Sequence, residues 1–197
     1  MLSRGQAHED AGRHGTALIE VVQYSPQWPL QFELVARDLR QALSTLPSVR
    51  VEHVGSTSVP GLAAKPVLDI DVIVDGVEMA EAISAMVSAG YTHRGDLGMP
   101  DREAFGAPDD SPPRHLYVCR AGTLSVRNHL AVREVLRCRA DLRDEYAAVK
   151  LELAADPDME IENYTVGKSA VLQKILAESD LPVGERLQIL QLNNPIA

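Results

Sequence analysis

From Val67 to Val74 the chain reads Val-Leu-Asp-Ile-Asp-Val-Ile-Val, and no other stretch limits its fold so strongly. A near-continuous run of β-branched and aliphatic residues of this length predicts a central strand. Two acids inside such a strand are costly to bury unless they are paired or hold cations. Side chains of a strand alternate between faces, so Asp69 and Asp71 share one, about 7 Å apart along the backbone, while Ile70 points to the core. Carboxylates so placed suit one or two divalent cations; exposed strand-end acids are the plainer alternative. Upstream, Gly55-Ser56-Thr57-Ser58 marks a turn. Gly55, lacking a side chain, lets backbone N–H groups approach a phosphate, and the hydroxyls beside it either bind that phosphate or cap the next helical turn.

The rest of the chain frames this strand. A short apolar run over residues 18–22 suits a strand or extended arm. Ser25-Pro26 opens an amphipathic helix in which Trp28, Phe32, Val35, Leu39 and Leu43 recur at spacings of three and four, and Pro47 lies beyond its end. Residues 49–54 alternate as a strand, residues 58–64 hold a short helical turn, and residues 79–90 form a helix closed by Gly90. A strand begins at residues 91–94. Residues 95–113, rich in Pro, Gly and acids, predict a long surface loop split by a strand near residues 103–105. Residues 114–120 form the next strand, and the remainder is helical over about residues 126–137, 141–154, 159–178 and 181–192. Strands first and helices last predict an α+β fold, a mixed β-sheet with flanking helices and a C-terminal helical cap from about residue 125. Residues 1–17 lack apolar periodicity and predict a mobile tail in which His8 and His14 are solvated; residues 18–197 predict a single domain.

Charge narrows the class of partner. A formal net charge of −9 over 197 residues repels phosphate backbones, so no long nucleic acid is expected, and one Trp, two Phe and five Tyr give no series of stacking platforms. No apolar run reaches the ~18 residues of a membrane helix, and the polar start lacks a signal-peptide core, so a cytoplasmic location without membrane contact is expected. Cys119 and Cys138 predict reduced thiols.

Gly55-Ser56, twelve intervening residues, then Asp69-Ile70-Asp71 with apolar flanks resembles the signature of the polymerase-beta-like nucleotidyltransferases. The longer wording from Gly55 to Val74 resembles the GrpB family. That likeness continues through His115-Leu116-Tyr117-Val118, the segment from Asn128 to Arg137, Tyr146-Ala147-Ala148-Val149-Lys150 and Tyr164-Thr165-Val166-Gly167-Lys168, about residues 20–178 in all. The resemblance implies a nucleotidyltransferase fold and a metal-dependent transfer of a nucleoside monophosphate from a triphosphate to a small-molecule or protein acceptor. It implies that Asp69 and Asp71 hold Mg2+ or Mn2+, that Gly55, Ser56 and Thr57 carry the triphosphate tail, and that the helix of Tyr164 and Lys168 faces the cleft. Lys168 then neutralises phosphate charge and Tyr164 lines the nucleotide pocket. Lys65 is placed either to reach the triphosphate or to pair with the aspartates. Arg102 is either a lid residue that stabilises charge or an ordinary exposed loop arginine.

One departure from the superfamily stands out. Its active members supply a third carboxylate from a later strand, and Arg114-His115-Leu116-Tyr117-Val118-Cys119 has none. Three readings stay open: His115 as base or ligand, Glu103 from the loop as the missing acid, or a non-catalytic nucleotide or phosphometabolite binding module. A metal-assisted phosphohydrolase using His115 as base is a further alternative. Asn128 and Arg133 are additional polar candidates on the following helix.

Overall fold

The computed structural model describes residues 19–193, so the expected tail over residues 1–17, with His8 and His14, lies outside it. Hydrophobic periodicity explains the first helix. In α1 (Gln27–Ala42), Trp28, Phe32, Val35, Ala36 and Leu39 form one buried stripe. The strands are β1 (Arg50–Val54), β2 (Leu68–Val74), β3 (Thr92–His93), β4 (Arg102–Gly106) and β5 (Arg114–Arg120). They form one mixed sheet in the order β1-β2-β5-β4-β3. Only the central β2–β5 pair is parallel. A parallel pair needs a long crossover, supplied here by the segment that carries α2 (Met79–Ser88), β3 and β4.

Strand alternation sorts the two faces. Ile70, Val72, Leu116 and Val118 pack with α1 and α2 into the main core. Asp69, Asp71, His115 and Tyr117 occupy the opposite face, with Asp69 in register with His115 and Asp71 with Tyr117. That face meets α3 (Leu124–Cys138), where Val126 packs against Ile73 and Cys119. Beyond it lie α4 (Ala140–Ala154), α5 (Ile161–Gly167), α6 (Ser169–Ala177) and α7 (Val183–Asn193). No helix among the described residues is long and apolar enough to cross a membrane.

Two expectations change. The strand over residues 91–94 shortens to Thr92–His93, and the single helix over residues 159–178 divides at Lys168. Gly167 explains the second. It is a poor helix former, and a Cβ there would come within 2.8 Å of Leu153 on α4, so α5 ends at a residue against which α4 packs closely.

Leu62 ties the strand pair to the helices. It lies in the β1–β2 connection, is fully buried, and packs with Leu136, Leu142, Tyr146 and Ile175. Leu62→Ala is expected to cost about 2–3 kcal/mol in urea unfolding, through lost burial plus the cavity left behind. An unchanged midpoint would mean that the helices do not depend on this plug.

Candidate functional site

Gly55 ends β1 in a conformation (φ 68°, ψ −172°) that essentially only glycine adopts. Its missing side chain makes room for a neighbour: a Cβ would lie 2.8 Å from Cγ of Asp69, within its carboxylate. The space expected to admit phosphate on that side is therefore filled by Asp69. The next three residues form a single 3-10 turn, closed by Ser58 Oγ donating to the Gly55 carbonyl at 2.6 Å.

Asp69 projects from β2 and accepts a hydrogen bond at Oδ1 from Nδ1 of His115 (2.9 Å). This bond, aided by the carboxylate's charge, raises the His115 pKa above its ordinary value despite partial burial. It also assigns the proton to Nδ1 in the neutral ring, leaving Nε2 free to accept. Asp71 is fully buried. Its Oδ2 lies 2.7 Å from Nδ1 of His129 on α3, while Oδ1 is buried without a hydrogen-bond partner. Burial works to lower the His129 pKa, but the Asp71 bond and the charges of both aspartates outweigh it, and the net shift is upward.

A cavity of about 220 Å³ opens beside this pair. Seven of the residues singled out in the sequence line it: Ser56, Thr57, Lys65, Asp69, His115, Tyr164 and Lys168. Of the residues assigned to the metal, the phosphate tail or the lid, three lie outside its lining. Gly55 stands behind Asp69, Asp71 is sealed under α3, and Arg102 stacks on Tyr117 at 4.4 Å. Thr57 also spends its hydroxyl internally, donating to the Val67 carbonyl (3.3 Å) and pairing with Nε2 of the buried His53 (3.0 Å). Burial lowers the His53 pKa to about 4, so that ring is neutral.

Lys150 is the residue the sequence reading missed. It is 2% exposed, donates to Ser56 Oγ (2.9 Å) and to the Ala63 carbonyl, and sits 4.4 Å from the Tyr146 ring centre. Burial, reinforced by the Lys168 charge, lowers its pKa to about 7. Burial and the Lys65 charge bring Lys168 to about 8. Despite the helix break, Lys168 still rests on the Tyr164 ring at 4.3 Å, and Lys65 lies 5.2 Å from the same ring. No ion pair ties Lys65, Lys150 or Lys168 to a carboxylate among the described residues. The available signal was a lysine one helical turn past Tyr146 on the buried stripe of α4.

Glu103 does not complete the acid set. It stands in β4, the strand expected near residues 103–105, and its register with Val118 turns it toward the α1 and α2 face, where it pairs with Nε2 of His93 at 2.6 Å. Arg133 pins α3 to β1, donating to Glu52 and to the His53 carbonyl, both at 2.8 Å. Asn128 does not line the cavity, and its Oδ1 is buried without a partner.

The donor set is compatible with a hard cation. Two carboxylates share one face of β2, and the unpartnered Oδ1 of Asp71 is an oxygen that lacks a proton donor. Among the described residues no cluster of three or more His, Cys, Asp or Glu side chains forms a metal cage, so a cation held here would need ligand oxygens from elsewhere. Magnesium bound through one or two carboxylates plus substrate phosphates fits that pattern.

The GrpB protein family profile matches residues 18–178. A UPF0157 protein of Halalkalibacterium halodurans is 35% identical over 168 residues, covering 83% of this chain and 84% of that protein. The crystal structure of GrpB from Enterococcus faecalis is alike at a TM-score of 0.69 and 32% identity, over 86% of this chain and 99% of that one. Cid1 in complex with its short product ApU shares the fold alone, at a TM-score of 0.56 and 13% identity over 82% of this chain and 54% of that one. The chain belongs to the GrpB family, also designated UPF0157, and its fold resembles the nucleotidyltransferase fold of Cid1.

Proposed function

We propose that the cavity binds a nucleoside triphosphate and that the protein transfers its nucleoside monophosphate to the hydroxyl of an acceptor. One observation carries the reading: three lysines without carboxylate partners converge on a cavity whose other wall is the Asp69–His115 pair. Like charges so gathered repel each other and are relieved by a polyanion. Lys65, Lys150 and Lys168 hold the phosphates, Lys150 also orients the Ser56 hydroxyl, and Tyr164 contributes its ring face. Asp69, at the cavity wall, would hold Mg2+ or Mn2+ with the buried charge of Asp71 behind it, and the bound cation would supply charge neutralisation to the triphosphate. His115, oriented through Nδ1 by Asp69, accepts the acceptor's proton at Nε2 when the ring is neutral. Positioning and fixed charge account for most of the catalysis.

The pH dependence of binding follows from the lysines. Their charged forms bind the anion, and the charges are lost as pH rises through about 7 for Lys150 and about 8 for Lys168. Affinity for a non-hydrolysable magnesium triphosphate is therefore expected to fall between pH 7 and 9. Lys168→Met should lower it about tenfold at pH 7 and flatten the slope above that. Calorimetry showing a flat profile in the wild type would reject the lysines as the phosphate site.

A second reading, a nucleotide-binding module without transfer, is favoured by the occupation of both aspartates by histidines and by the absence of an acid on β5. Pyrophosphate release separates the two: triphosphate binding without it, across acceptors, supports the module.

A further inference from the structure

A second cavity, of about 520 Å³, adjoins the first, with Val67 and His115 lining both. Sequence explains why the sheet is hollow there. On β4, Ala104 and Gly106 face the Asp69 side next to Arg94, and the one long side chain there, Arg102, lies at the far end of the strand against Tyr117, so this end of the strand leaves its width unfilled. Arg94 lies beside this gap: its backbone N–H bonds the Ala104 carbonyl, and a Cβ on Gly106 would meet its Nη2 at 2.9 Å. The Arg94 guanidinium thus rests on strand surface that glycine leaves bare. No carboxylate pairs with it among the described residues. Arg114 adds a second guanidinium, 3% exposed in its side chain, which clasps Asp109 at 2.8 and 2.9 Å and leaves a buried Nε without a partner. Asp110 is the other charged residue of the lining. At the rim, Leu97 is 63% exposed and held at φ 50°, a conformation that costs a leucine energy.

We infer that this cavity seats the acceptor, a small hydroxylated anion whose carboxylate or phosphate meets Arg94 while its hydroxyl reaches His115. The inference rests on the transferase reading for the word acceptor; the cavity and its guanidinium do not. A volume near 520 Å³ suits a small molecule. Arg94 selects an anion because its planar fork matches carboxylate or phosphate oxygens. The shared wall orders the chemistry. The acceptor oxygen bonds to the α-phosphorus as the α-phosphorus bond to the bridging oxygen breaks, pyrophosphate leaves with that electron pair, and the hydroxyl proton passes to Nε2 of His115.

The test is calorimetry on the full chain with glycerol 3-phosphate, glycerate and neutral glycerol, in wild type, Arg94→Ala and Arg94→Lys. One of the two anions should bind and glycerol should not, and which anion binds identifies the charged group. Arg94→Ala should weaken binding at least about tenfold, with partial recovery in Arg94→Lys. A magnesium triphosphate titration of the same samples separates the two claims. Triphosphate binding with neither anion bound at about 10 mM, or with anion binding indifferent to Arg94→Ala, overturns the cavity assignment and leaves the nucleotide site standing. Arg94-dependent anion binding without triphosphate binding upholds the cavity and removes the transferase reading.

Discussion

Asp71→Asn is expected to lower the affinity for a magnesium nucleoside triphosphate about a hundredfold while leaving the protein folded. The side chain is fully buried, so its charge acts through a medium that screens poorly, and the substitution removes that charge with little change in size. Folding should survive for a specific reason. Asn presents an oxygen to Nδ1–H of His129, so the 2.7 Å contact that joins β2 to α3 keeps a donor and an acceptor. The amide NH2 then stands where Oδ1 has no partner, and the charge that raises the His129 pKa is gone, so the melting temperature should fall by a few degrees without loss of the fold. Asp69→Asn should have a smaller effect, since its side chain is 38% exposed and better screened. Calorimetry that finds equal affinities in wild type and both variants would sink the cation site.

Gly55→Val should be the most destabilising single change at the site, by about 4 kcal/mol in urea unfolding. Two penalties add there. A β-branched residue is forced into a glycine-only region of backbone space, and its Cβ collides with Asp69 rather than with a yielding surface chain. Gly122→Ala is the matched control: its φ of 77° is also positive, but nothing lies within 4 Å of the added Cβ, so only backbone strain of about 1 kcal/mol applies. Equal losses in the two variants would show that the Asp69 contact contributes nothing. Any folded fraction of Gly55→Val should bind magnesium triphosphate poorly, because Asp69 and its bond to His115 must shift together.

Legibility in the sequence followed the range of the interaction. The residues of α1, β2 and β5 were readable because a buried stripe or an alternating strand writes its period into consecutive residues. The break at Lys168 was not, since it depends on Leu153 of α4 reaching Gly167. Nor was the face of Glu103: a strand was expected near residues 103–105, but only its register with Val118 decided which way the side chain turns.

The sequence by itself determined that two acids would share one face of a central strand, that a glycine turn would precede them, and that a lysine would sit beside Tyr164. Alternation and local spacing suffice for each. Only the tertiary structure decided what those groups touch. His129 lies 58 residues from Asp71, and Lys150 lies 94 from Ser56, separations at which no local pattern specifies a partner. It likewise decided that Gly55 serves the Asp69 carboxylate, because the space a missing side chain leaves is claimed by whatever the fold brings against it.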